Sequence, residues 1–350
     1  MTFYPFPSID QYLSVIKEVN YLDKEKILDF RGTVKIHGTN ASIVATFVKN
    51  EKDEYINQSL YCQSRNKIIT IEKDNVGFAA FVNSIPKEKL IKVLFYPILE
   101  TLDVPSITII IYGEWCGKGI QKGVGVSELP KMFVTYSILI VEFENDNLTV
   151  ESGQGTRIDP IALKNWSNCP DSSIYNIFMF PVYNITINFN VPQFSQNKLV
   201  TLTNEVETEC PVAKYFGVSG IGEGIVYICT HPDFQSSRFW FKVKGKEHSV
   251  SKVKSLKSIA AVDIEKVQSI TEFIDCTVTE NRLKQGIEYL LEMNLEISKK
   301  NTGTFLQWVT KDVLKEEKDR LVASNLNEND VKKHINIKAN NFFGKYFTSI

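Results

Sequence analysis

The sequence predicts an α+β chain: residues 1–248 as a domain built on antiparallel β-sheets, then residues 249–350 as an all-helical domain. Three observations predict it. Across residues 32–246, apolar residues alternate with polar ones or form short β-branched runs, punctuated by Gly, Pro and Asn. Beyond residue 262 the apolar spacing switches to threes and fours, the period of helices. Between the two lies a basic stretch, with Arg238, Lys242, Lys244, Lys246, Lys252, Lys254 and Lys257 against the single acid Glu247. That stretch reads either as a phosphate-backbone contact, whose affinity would fall with salt, or as a solvated linker.

Composition sets the outer bounds. A chain of 350 residues has room for two cored domains, and 43% hydrophobic with 23% charged residues describes an ordinary globular protein. The net charge of −1 excludes a polycation, so any affinity for nucleic acid must be local. Six scattered cysteines without a C-x-x-C argue against a zinc site or a disulfide framework, and for a reducing compartment. The start lacks a basic and then apolar leader, and no apolar run reaches membrane-spanning length. The expectation is a monomer in the cytoplasm or nucleus, with no membrane partner.

In chain order, Ser8 is expected to cap a short helix carrying Ile9, Tyr12, Leu13 and Ile16. Residues 32–36 and 41–47 read as two strands joined by a tight turn, a first hairpin. By period two, Val34 and Ile36 face one way and Lys35 and His37 the other, beside Gly38, which lets the backbone approach a bound group. Taken alone, Lys-x-x-Gly signals no more than a surface lysine at a strand end. Arg65 follows another strand. Residues 72–102 read as a loop helix near 78–82 and a second helix over 87–99, broken at Pro97. Residues 107–115 form a buried β-branched strand ending in Gly113-Glu114. The glycine-rich loop after it is not a P-loop, because Lys118 is followed by Gly119 rather than a hydroxyl residue. Residues 132–141 return as a strand, and residues 142–149 read as a hairpin around Asn145-Asp146-Asn147. The stretch to residue 220 offers short β runs such as 183–189 and no chemistry.

Glu223, flanked by Gly222 and Gly224, opens the next strand. In the following one Phe239, Phe241 and Val243 face inward and Lys242 and Lys244 outward, about 7 Å apart along the strand. Helical stripes then follow: Val267, Ile270, Phe273 and Ile274; a Thr277-x-x-Glu280 capping box before Leu283, Ile287, Leu290 and Leu291; a helix from Thr304; and Val331, Ile335, Ala339 and Phe342.

The string Lys35-Ile36-His37-Gly38-Thr39-Asn40 resembles the nucleotidyl-lysine motif of the covalent nucleotidyltransferases, and among them the RNA ligase 2 family. The remaining parts stand in the family's order. Arg65 matches an arginine near the nucleotide sugar and the nick ends, and Tyr112-Gly113-Glu114 the ribose-binding glutamate. Gly117-x-Gly119-Ile120-Gln121-Lys122 is a further family-like string. Tyr136 matches the aromatic that stacks on adenine, although Ser137 stands where the family usually carries Asp. Glu223 matches the glutamate by the α-phosphate that is linked to metal, and Lys242-x-Lys244 the last motif. Phe6 is a weaker match for a residue lining the base.

The resemblance implies a nucleotidyltransferase (adenylation) domain in which Lys35 takes AMP from ATP with Mg²⁺ or Mn²⁺. Val34, Ile36, His37, Asn40, Arg65, Glu114, Tyr136, Glu223, Lys242 and Lys244 would line the nucleotide, with Glu223 toward metal. The stretch ahead of Lys35 is too short for the domain with which NAD-dependent ligases capture nicotinamide, so ATP is the expected donor. A lysine at its reference pKa of about 10.4 is protonated at pH 7, and Lys242 and Lys244 are expected as the neighbouring cations that free the amine. The implied partner is a nicked duplex of RNA, or an RNA/DNA hybrid. Three alternatives stay open: a capping-type guanylyltransferase, a DNA ligase, and a catalytically inactive nucleic-acid-binding protein of the same fold.

Overall fold

The computed structural model describes residues 1–22, 26–142, 155–159, 162, 166, 169–248 and 270–348. The chain divides into two compact units, Met1–Gly245 and Lys246–Ile350. The hairpin expected around Asn145-Asp146-Asn147, residues 249–257 of the basic stretch, and Val267 lie outside the described residues.

The first unit holds two sheets. One has five strands in the order β1-β12-β11-β2-β10: β1 (Asp10–Gln11), β2 (Ile27–Lys35), β10 (Val182–Asn188), β11 (Gly224–Cys229) and β12 (Phe241–Lys244). The other runs β5-β4-β3-β6-β7-β8: β3 (Thr39–Lys49), β4 (Tyr55–Ser64), β5 (Ile68–Ile69), β6 (Ser106–Cys116), β7 (Met132–Glu142) and β8 (Thr156–Ile158), with β9 (Ile174–Asn176) also on β7. Pairing is antiparallel except for β1 with β12 and β9 with β7.

The expected first hairpin is not one. β2 pairs with β10 and β11, whereas β3 pairs with β4 and β6, so the turn at His37-Gly38 crosses from one sheet to the other. The crossing is tight because a Cβ on Gly38 would stand 2.4 Å from the Trp115 carbonyl oxygen, and only glycine fits. Lys35 therefore sits where the two sheets meet.

Each sheet covers one face with helices. α1 (Tyr12–Tyr21), α5 (Gln193–Thr208) and α6 (Pro211–Tyr215) close a core containing Phe30, Val34, Leu199, Val206 and Tyr227. α2 (Phe78–Asn83), α3 (Lys87–Leu94) and α4 (Tyr96–Leu99) close a second one on Ile43, Phe47, Ile109 and Phe133. The break expected at Pro97 comes at Phe95, since Pro97 is the second residue of α4, in the first turn where its missing N–H costs nothing. Ser8 caps nothing here: Asp10 and Gln11 pair with Phe241 and Lys242, which delays the helix to Tyr12. α5 was not expected. Of the four residues it buries, Gln196 and Thr203 are polar, so the apolar period is faint.

The second unit is helical: α7 (Ile270–Thr277), α8 (Glu280–Glu292), α9 (Thr302–Glu316), α10 (Lys318–Ala323) and α11 (Glu328–Thr348). Its core joins Phe273, Leu283, Ile287, Phe305, Val309, Val331, Ile335 and Phe343. Most described residues of the predicted stripes are buried, with Ile270 only partly so; Phe343 rather than Phe342 lies deepest, and Leu291 is exposed. The cap of α8 is Thr279, whose hydroxyl accepts from the Arg282 N–H, whereas the Thr277 hydroxyl donates back to the Phe273 carbonyl. Arg282 is fully buried and ion-paired with Asp312, Glu316 and Glu317. All six cysteines are free thiols. No helix among the described residues is long and apolar enough to cross a membrane.

Candidate active site

Three neighbouring strands bring the central charges together. Gly224 pairs with Lys35 on one side and Lys244 on the other, so the two lysines flank the mouth of β11. A Cβ on Gly224, whose φ is +153°, would lie 2.1 Å from the Val243 carbonyl, and glycine alone permits that approach. Glu223, the residue before it, is 3% exposed. Its Oε2 accepts from Lys35 Nζ at 2.6 Å and lies 3.4 Å from His37 Nδ1, while Oε1 is 2.9 Å from Lys244 Nζ. Burial would raise the Glu223 pKa. Lys244, Lys35 and His37 outweigh it and hold the carboxyl well below the usual carboxylate range.

This corrects one expectation. The nearest charged neighbour of Lys35 is the Glu223 carboxylate, and the two lysines meet through it rather than face to face. His37 likewise contacts this carboxylate. Lys242 lies two residues along the same strand face as Lys244, opposite Val226. The side chains of Val34 and Ile36, expected to line the nucleotide, are buried in the core.

Glu114 approaches from the other sheet. It pairs in register with Asn40, and its Oε1 accepts the Gly38 N–H at 3.2 Å. It stands within β6, which runs on to Cys116, rather than at the strand's exit. Burial is the largest influence on its carboxyl and raises it; the Glu223 charge adds, Lys35, His37 and Arg65 subtract, and the outcome is a pKa of about 7. Arg65 is an exposed residue just past β4 and acts here through its charge.

Tyr136 is placed by an irregularity. The register of β6 with β7 shifts between Tyr112 and Gly113, whose partners are Ser137 and Thr135, which leaves Tyr136 as the extra residue of a β-bulge. Its neighbours on β7 are buried and it is partly buried. Its hydroxyl accepts from Asn40 Nδ2. Asn40, expected to line the nucleotide, orients the tyrosine.

Three contributors carried no sequence signal strong enough to single them out. Asn75, fully buried, donates to Thr39 Oγ1 at 3.1 Å, and its Oδ1 has no hydrogen-bond partner. The Val76 carbonyl accepts from Trp115 Nε1 and Lys131 Nζ, with Val76 in the left-handed region at φ +52°. Arg157 stacks on rings beside Tyr136. Gln121, part of the glycine-rich string, reaches the Gly38 carbonyl at 3.4 Å.

A cluster of two acids, two lysines and a histidine around one strand-end lysine is suited to handling a polyphosphate. The family model for RNA ligase matches residues 29–244, from within β2 to the second lysine of Lys242-x-Lys244. The chain belongs to the RNA ligase family. All the candidate site residues fall inside the matched segment. Among solved structures, this family member is similar to the RNA ligase of Naegleria gruberi. A variant with ATP and Mn shows 14% identity and TM-score 0.41, covering 71% of this chain and 58% of that one. A variant with AMP and Mn shows 15% and 0.41, covering 71% and 57%. The form with pyrophosphate shows 15% and 0.39, covering 71% and 59%. The chain therefore spans less than two thirds of that ligase's length. No curated protein matches.

Proposed function

We propose that the protein is an ATP-dependent RNA ligase that joins a 3′-hydroxyl to a 5′-phosphate through an AMP carried on Lys35. The observation that best supports this reading is the register of Lys35, Gly224 and Lys244 across three strands, with Glu223 between the two ammonium groups.

In the first step the Lys35 amine, its proton given up to solvent, attacks the α-phosphorus of ATP. A P–N bond forms as the bond to the pyrophosphate oxygen breaks, and pyrophosphate leaves. Lys244, with Lys242 beyond it, offsets charge on the phosphates. Glu114 accepts hydrogen bonds from the ribose hydroxyls, and Tyr136 offers a flat face to the base. AMP then passes to the RNA 5′-phosphate, and finally the 3′-hydroxyl attacks that phosphate and AMP departs.

Among the described residues no group of three or more His, Cys, Asp or Glu side chains is arranged to hold a metal. A single fixed carboxylate, Glu223, suits Mg²⁺ or Mn²⁺ carried on the nucleotide's phosphates and water, since such ions take few protein ligands. When bound, the ion would neutralise phosphate charge. The substrate fitting this chemistry is a nick in duplex RNA or an RNA/DNA hybrid, recognised in part by the 2′-hydroxyl.

The test is incubation of wild type and Lys35→Ala with α-labelled ATP, and in parallel GTP, with Mg²⁺. A labelled protein band from ATP that vanishes in the variant is expected. A band from GTP alone moves the reading to a capping-type enzyme, and no band from folded protein removes the lysyl-nucleotide step.

A further inference from the structure

β8 occupies a stretch in which the sequence shows no chemistry, yet Arg157 within it and Asp159 just past it tie the sheets of the first unit together. Asp159, just past β8, pairs with Arg31 of β2 at 3.2 Å, on the strand face that also carries Lys35. Arg157 lies opposite Leu139 of β7, immediately beyond the bulge that turns Tyr136 outward. Its guanidinium carbon stands 5.4 Å from the centroid of Phe6, 5.5 Å from Tyr112 and 5.6 Å from Trp240. Its Nη1 donates to Ser137 Oγ at 3.4 Å. Among the described residues no carboxylate pairs with it; ring faces compensate its charge instead.

The three rings come from segments that all reach the site. Phe6 follows Tyr4, which is anchored to β4 and β6 by paired hydrogen bonds with Gln63 and one from the Tyr112 hydroxyl. Tyr112 is the last residue of β6 before the bulge. Trp240 precedes β12, the strand of Lys242 and Lys244. Phe6 in turn meets Tyr136 edge-on, with ring centroids 5.2 Å apart.

We propose that Arg157 is a positioning residue for nucleotide binding: clasped by Phe6, Tyr112 and Trp240 and bonded to Ser137, it holds Phe6 and Tyr136 as the wall on which the base stacks. This rests on the nucleotide-binding reading of the site. An apolar side chain would fill the same volume. The planar guanidinium adds stacking on several rings at once and a directed hydrogen bond to the residue beside Tyr136, which a flexible ammonium reproduces only in part.

The experiment compares full-length wild type, Arg157→Met, Arg157→Lys and Arg157→Ala, each checked for folding by thermal melting. Single-turnover labelling of Lys35 is measured against a titration of α-labelled ATP. The loss is expected in KM, rising about tenfold in Arg157→Met and Arg157→Ala, the size expected of a desolvated cation–π contact, with Arg157→Lys between these and wild type. A folded Arg157→Met indistinguishable from wild type overturns the proposal, because packing volume would then suffice. So does a loss confined to the rate at saturating ATP, since that places Arg157 on the reacting atoms. If wild type itself forms no lysyl adduct, the ligase reading fails separately. The same variants are then compared by calorimetric titration with ATP, where equal or absent binding overturns the role of Arg157 and weaker binding in Arg157→Met supports it.

Discussion

At Glu114 function and stability pull in opposite directions. Its carboxyl, raised from 4.5 to about 7, holds a proton in the folded protein over a range where the unfolded chain has released it. Folding stability therefore declines as pH rises from about 4.5 to about 7, where the folded state binds more protons than the unfolded one. Glu114→Gln removes that dependence. It is expected to melt above wild type at pH 8 and close to it near pH 5, while binding nucleotide more weakly; thermal melts at the two pH values, with ATP titration, check this. Glu223 behaves in the opposite sense: its lowered pKa contributes stability above the ordinary carboxylate range, and that stability is lost as pH falls through the folded value. Lys35, Glu114, Tyr136, Glu223 and Lys244 were all legible in the sequence as residue types at particular places. Their partners were not. A carboxylate between two lysines depends on which strands become neighbours, and Glu223 is far from Lys35 along the chain.

Among the elements, two irregular features do the positioning. The bulge at Tyr136 breaks the period of two on which strand reading rests, so the alternation of β7 shows an aromatic residue without showing that its hydroxyl meets Asn40. The short segment at Asn75-Val76 braces the Lys35 turn from outside. Val76, a β-branched residue at positive φ, is held there by two donors to its carbonyl, from Trp115 and Lys131. Asn75→Ala loses the bond to Thr39 but also removes an orphaned buried oxygen, so its net cost in stability is expected to be about 1 kcal/mol or less. The looser turn should slow nucleotide transfer to Lys35 severalfold. Single-turnover labelling with a parallel denaturant melt separates the two effects, and unchanged labelling would show that Asn75 only packs.

For the whole molecule, the two units have separate cores. Every residue assigned to nucleotide chemistry precedes Gly245. A chain ending at Gly245 is therefore expected to melt cooperatively and to form the Lys35 adduct from ATP, and an unfolded fragment would show that the first unit does not stand alone. Near-neutral overall charge, with 40 Lys and Arg against 41 Asp and Glu, leaves any attraction for nucleic acid to local arrangement.

The sequence by itself determined most strands and helices, α5 apart, the switch in period after the strand-rich part, and the ordered set of site residue types from Lys35 to Lys244. These are local properties: side-chain periodicity and short motifs are written in consecutive residues. Only the tertiary structure decided that the Lys35 turn crosses between sheets instead of closing a hairpin. It also decided that Val34 and Ile36 belong to the core, that Glu223 separates the lysines, and that Arg157 and Asn75 stand behind the site. Each follows from pairing between distant strands, and register across a sheet depends on the collective burial of both faces rather than on any one segment.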